Sequence, residues 1–128
     1  MTTRRQLLAV AWLALSISPA MAVDPVPFQQ EAFDAAQKAG KPILIEVSAP
    51  WCPICKAQKP IIAKLTQDPR FKDLLVFDVD FDSRKDVLKA FNARMQSTLI
   101  AFKGETEVGR SVGETQPEWI EGLVEKTH

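Results

Sequence analysis

Polar and apolar positions along this chain change period several times, and each change marks an element. Val23 to Phe28 carries two prolines and predicts an extended lead-in. Gln29 to Ala39 places Phe33 and Ala36 on one face and ends at Gly40, the pattern of an amphipathic helix with its stop. Lys41-Pro42 then opens a run from Ile43 to Ser48, aliphatic and β-branched, that predicts a strand. From Cys52 onward Ile54, Ala57, Ile61, Ile62 and Leu65 recur at helical spacing, so a helix runs to about Thr66, with Pro60 inside it as a kink. Asp68-Pro69 marks a turn, and Leu74 to Phe81 is a second strand, apolar except for Asp78 and Asp80. Ser83 to Phe91 reads as a helix with Ser83 as N-cap and Val87, Leu88 and Phe91 inward. Thr98 to Phe102 and Glu107 to Val112 read as two strands joined through Gly104 as a hairpin, and Gly113 ends the pattern. Thr115-Gln116-Pro117-Glu118 has capping-box spacing and opens a last helix through Trp119, Ile120, Leu123 and Val124. Alternating α and β elements that end in a hairpin and a helix predict an α/β fold, a central mixed β-sheet flanked by helices in a three-layer α/β/α sandwich.

The first 22 residues follow another rule. Arg4 and Arg5 precede an apolar run from Leu7 to Ile17, which is followed by Ala20-Met21-Ala22. These are the three parts of a secretory signal peptide, so cleavage after Ala22 is expected, leaving one domain over residues 23–128. The run is about half the roughly twenty residues that a spanning helix needs, so no stable membrane insertion is expected after cleavage. Thr3-Arg4-Arg5-Gln6-Leu7-Leu8 is compatible with either an ordinary or a twin-arginine export signal. The expected location is outside the cytoplasm, periplasmic if the source is a Gram-negative bacterium. The 128 residues carry sixteen basic and sixteen acidic side chains, and loss of Arg4 and Arg5 leaves a net charge of −2. Such a balance provides no field for nucleic acid or an anionic membrane, and function has to sit in a local site.

Both cysteines of the chain lie in Trp51-Cys52-Pro53-Ile54-Cys55-Lys56. A structural staple would close a long loop, where the entropic gain is larger. Two thiols at i and i+3 on the first turn of a helix instead close a small ring in which either sulfur resolves a bond made by the other. Free amides and the positive dipole end at the helix start favour a thiolate at Cys52, which makes it the nucleophile and Cys55 the resolver. Such exchange needs no cofactor. Trp51 flanks the pair as an apolar contact, and Lys56 adds positive charge nearby. A lone CxxC is also half of a zinc site, but no other cysteine exists and the one histidine is His128.

From about Phe28 to Lys126 the chain resembles the thioredoxin family. The resemblance rests on an acid six positions before the first cysteine (Glu46), a tryptophan before the pair (Trp51), a proline eight residues after the first cysteine (Pro60) and a glycine before the last helix (Gly113). It implies a thioredoxin-like fold, thiol-disulfide exchange as the activity, and Glu46 as a proton-transfer group toward Cys55. The bland alternative for Glu46 is a carboxylate that points to solvent.

The chain also departs from the family. Where thioredoxin-like proteins carry a cis-proline before the third strand, it reads Met95-Gln96-Ser97-Thr98. A non-proline cis bond costs about 3 kcal/mol, so a trans Gln96-Ser97 bond is expected. Because the family's proline is thought to keep metals from the thiols, Ser97 leaves a metal-binding or metallochaperone module as the alternative function. Asp78 replaces the lysine that partners the buried acid in many thioredoxins, and a second acid there raises the proton affinity of Glu46 if both are buried.

The resulting expectation is a thiol-disulfide oxidoreductase with Cys52, Cys55 and Glu46 as catalytic residues and Trp51, Pro53, Ile54, Gln96 and Ser97 contacting substrate. It holds no resident cofactor or metal and acts as a monomer. Its partners are thiols and disulfides of exported proteins and a separate redox partner. A third reading keeps the fold as a binding module around an inert disulfide.

Overall fold

The computed structural model of the chain describes residues 24–128; the expected signal segment and the expected cleavage after Ala22 lie outside them. The elements run β1 (Val26–Pro27), α1 (Gln30–Lys38), β2 (Pro42–Ser48), α2 (Pro53–Gln67), β3 (Leu75–Asp80), α3 (Lys85–Ala90), β4 (Thr98–Lys103), β5 (Thr106–Val112) and α4 (Pro117–Glu125). The five strands form one sheet in the order β1-β3-β2-β4-β5. Strands β1, β3 and β2 are mutually parallel, whereas β4 is antiparallel to both β2 and β5. The sheet is therefore mixed, as the element order predicts.

Side-chain alternation along the strands sorts the core into two layers. Ile43, Ile45 and Val47 of β2, Phe77 and Val79 of β3, and Ile100 and Phe102 of β4 pack with Phe33 of α1 and Val87 and Leu88 of α3. The opposite parity, Leu44, Val76, Leu99 and Ala101, packs with Ile62 and Leu65 of α2 and Ile120, Leu123 and Val124 of α4. Covering both faces of β2 explains why its residues are apolar at both parities except at Glu46, the mark of a strand buried on two sides. The same parity assigns Glu46 to the face covered by the cysteine helix.

Several expectations about which residues turn inward are corrected. The buried stripe of α2 is Cys55, Gln58, Ile62 and Leu65; Ile54 and Ala57 are exposed, because each lies one residue, about 100° of helical rotation, before a member of that stripe. Ser83 does not cap α3, which starts at Lys85 after Arg84; its hydroxyl instead donates to Asp80. The capping box before α4 does not form. Glu114 accepts from the amides of Thr115 and Gln116 at 3.1 and 2.9 Å in its place. Along α4, Ile120, Leu123 and Val124 are buried while Trp119 is 66% exposed. The lead-in also pairs with β3 as a two-residue edge strand, where Pro27 is tolerated because an edge leaves one side of the backbone unpaired.

Candidate active site

The cysteines sit where β2 leaves the sheet and α2 begins. Ser48 ends β2, and Cys52 occupies the N-cap of α2 in an extended conformation with Pro53 at the first helical position. Proline there has its φ preset and gives up an amide that would have no helical partner. The Cys52 N–H donates to the Ala49 carbonyl at 3.1 Å, closing the connection. A free helix-start amide, the Cys55 N–H, points at Cys52 Sγ at 3.1 Å, so the sulfur takes the capping role that a serine or aspartate oxygen often fills. Amide and dipole together stabilise negative charge on Cys52 more than on Cys55.

The two cysteines form a disulfide with their Cα atoms 5.3 Å apart. They pack with Ala49 and Phe81, and in this state Cys52 is 1% exposed and Cys55 is wholly buried. Cys55 Sγ lies 3.9 Å from the Val47 carbonyl oxygen. Around this pair Trp51 and Ile54 are exposed by 54% and 41%, and Pro53 is exposed between them. Trp51 is held in place, its Nε1–H donating to Asp82 at 2.8 Å and its ring meeting Phe81 edge-on at 6.2 Å. Lys56 is exposed, and its amide donates to the Cys52 carbonyl.

Gln96 and Ser97 reach the same place from the other side of β2. No cis peptide bond occurs among the described residues, so the Gln96-Ser97 bond is trans, as expected from its chemistry. Ser97 is buried and takes a left-handed backbone with φ 61°, a conformation that costs a non-glycine residue about 1–2 kcal/mol. Its N–H donates to the Val47 carbonyl at 2.8 Å. The Val47 oxygen is thus shared between Ser97 and the vicinity of Cys55.

Glu46 is fully buried, which excludes the solvent-facing alternative. Burial pushes its carboxyl above the ordinary glutamate value; Lys59 opposes that shift and Asp78 adds to it. The Lys59 ammonium reaches Glu46 Oε1 at 3.3 Å from α2 while remaining half exposed, and Glu46 Oε2 has no partner among the described residues. Asp78 stands beside Glu46 in the β2–β3 register and is itself held by the Ser48 hydroxyl at 2.6 Å. The cation near the buried acid therefore comes from the cysteine helix rather than from β3. Lys59, Gln58, Ser48, Phe81 and Asp82 surround the site, and sequence reading does not single them out. Lys59 carries the one usable signal, a position four residues after Cys55.

Among the described residues no group of three or more His, Cys, Asp and Glu side chains gathers as a metal-ligand set. An open groove of about 650 Å³ lies along the far half of α2, lined by Pro60, Ile61, Leu65, Pro69 and Pro117 among others, and includes neither cysteine.

The family model that matches the chain is Thioredoxin, over residues 24–126. Among solved structures, the crystal structure of Trxlp from Edwardsiella tarda superposes with a TM-score of 0.76 at 40% identity, covering 79% of this chain and 98% of that one. Thioredoxin H-type of Brassica campestris is 33% identical over 84 residues, 66% of this chain and 67% of its own. Thioredoxin 1 of Nostoc sp. is 29% identical over 110 residues, 86% and 98% of the two chains.

Proposed function

The chain belongs to the thioredoxin family and is a thiol-disulfide oxidoreductase, and from that premise we propose that Cys52 is its nucleophile, Cys55 its resolving thiol and disulfides of exported proteins its substrates. The observation that carries the assignment of roles is the Cys55 amide directed at Cys52 Sγ on the N-cap of α2. In the reducing direction the Cys52 thiolate attacks one sulfur of a substrate disulfide and expels the other as a thiolate. Cys55, losing its proton to Glu46, then attacks Cys52 Sγ; the Cys52–Cys55 bond forms and the second substrate thiol leaves. Two electrons end on the substrate together with two protons, one released by Cys55 through Glu46 and one taken from water, and an external dithiol restores the pair. The oxidising direction is the same sequence reversed.

Trp51, Pro53 and Ile54 on one side and Gln96, carried by the buried Ser97, on the other form the surface that receives the polypeptide around the target disulfide. The export part of the proposal rests on the pattern of residues 1–22. It is tested by the N-terminal residue of the protein recovered from outside the cytoplasm, which is expected to be Val23.

The exchange reading is tested by equilibrating residues 23–128 in defined thiol-disulfide buffers and trapping free thiols at each point. A single reversible two-electron transition is expected, between roughly −270 mV for a reductant and roughly −120 mV for an oxidant. The near-complete burial of Cys52 favours a second reading, an inert structural disulfide. Failure of alkylating reagents to reach Cys52 after reduction establishes that reading and removes the first.

A further inference from the structure

Gln58 is a polar side chain with no exposure to solvent, one turn beyond Cys55 on the inward stripe of α2. Its amide nitrogen donates to two carbonyls far away in sequence, Ser97 at 3.2 Å and Glu114 at 2.9 Å. The Ser97 carbonyl also accepts from the Gly113 N–H at 3.1 Å, and both Ser97 and Gly113 hold positive φ, 61° and 74°. The chain of contacts is continuous: Cys55 Sγ approaches the Val47 oxygen, that oxygen takes the Ser97 N–H, and the Ser97 carbonyl takes Gln58 and Gly113. One amide therefore ties the cysteine helix to the left-handed Ser97 segment and to the loop that leads into α4.

Stability alone does not account for this choice. The Gln58 Oε1 is buried with no partner among the described residues, an unfavourable acceptor that an apolar side chain of the same shape removes, although that replacement also takes a donor from the Glu114 carbonyl and leaves the Ser97 carbonyl with Gly113 alone. The amide does have a task that an apolar side chain cannot perform, which is to hold a trans, left-handed serine where a proline is usual.

We infer that Gln58 is a positioning residue for substrate recognition: by clamping Ser97 and Glu114 it fixes the wall opposite the disulfide, so that the enzyme takes polypeptide disulfides in preference to small ones. The inference rests on the exchange reading above. A small disulfide needs only the sulfurs, whereas a polypeptide must also lie against the Gln96–Ser97 backbone. Gln58 touches neither cysteine's reacting sulfur and acts only through that backbone.

The test compares wild type and Gln58→Met in two assays, steady-state reduction of insulin with dithiothreitol as the electron source, and the second-order rate of the reduced protein with 2-hydroxyethyl disulfide. The expected result is a rise in KM for insulin of about five- to twentyfold, with kcat, the small-disulfide rate and the reduction potential each within about twofold of wild type. An unchanged KM overturns the inference, as does a parallel loss in both assays, which marks a structural effect on the sulfurs. If Gln58→Met does not fold, Gln58→Asn decides by the same split, since its amide is one methylene too short to span both carbonyls. Failure of the wild type itself to reduce insulin or to show a reversible couple counts against the exchange reading instead.

Discussion

Replacing Cys52 by serine is expected to lower disulfide exchange by on the order of a thousandfold or more, whereas Cys55→Ser is expected to arrest the protein as a mixed disulfide with its substrate. The asymmetry follows from the helix start. Cys52 receives the Cys55 amide at 3.1 Å, and that N–H stabilises the thiolate and later the departing sulfur. Cys55 is buried beneath it and has only the task of resolution. Without Cys52 no first bond forms. Without Cys55 the first bond forms and nothing internal displaces it, so a disulfide-bonded adduct accumulates, visible as a mass increase that dithiothreitol removes. The reduced wild type is the control for stability, because the chain-entropy account gives even this short ring about 2 kcal/mol. Adducts on Cys52→Ser through Cys55, at a rate similar to those on Cys55→Ser through Cys52, would reverse or erase the assignment of roles.

The parts of this site that the sequence made legible are those set by local chemistry. Two cysteines at i and i+3 after an apolar strand are readable because helix-start amides and sulfur spacing lie within six residues. The two-faced burial of β2 is readable for a similar reason, as Ile43 to Val47 is apolar at both parities except at Glu46. The direction in which Glu46 points is not. Alternation says which residues share a face of the sheet but not which helix will lie on that face, and only the packing of Ile62, Leu65 and Val124 onto Leu44 and Leu99 places Glu46 beneath α2.

Gln58 and Lys59 were hidden for the opposite reason. On a helix such residues ordinarily face water, and the stripe of Ile54, Ala57 and Ile61 directs attention to a neighbouring face. The side chains that define the true stripe, Cys55 and Gln58, are a reactive thiol and an amide, which hydrophobic periodicity does not count. Ser83 shows how local signals compete. It has cap chemistry at a helix start, but Asp80 lies three residues back and takes both its amide and its hydroxyl, so α3 begins later. Functional roles of polar residues in this fold depend on contacts 13 to 56 residues apart in sequence, such as Lys59 with Glu46 and Gln58 with Glu114.

Glu46→Gln is expected to stabilise the folded protein at pH 8 while slowing the resolving step by on the order of a hundredfold. The carboxyl is raised above its usual value of 4.5, first by burial and further by Asp78, with Lys59 offsetting part of the shift. A raised carboxyl means that the folded chain holds this proton more tightly than the unfolded chain. Its contribution to stability is therefore fully present below about pH 4.5 and is lost as pH rises through the folded-state value, above which Glu46 is charged, buried and only partly paired. Glutamine keeps the shape and removes the charge, so urea unfolding midpoints of wild type and variant should diverge as pH rises from 4.5 and then run parallel. Activity should move the other way, because the rise of the resolving rate with ionisation of Glu46 vanishes in the variant. Lys59→Met separates the cation from the acid. It removes the Lys59 ion pair from Glu46, carries the rising limb of the rate to higher pH, and costs on the order of 1 kcal/mol at pH 8, a modest loss because Lys59 is half exposed. Parallel stability curves for wild type and Glu46→Gln across pH 4 to 9 would show that the buried acid keeps an ordinary proton affinity, and the base in the resolving step would then have to be sought elsewhere.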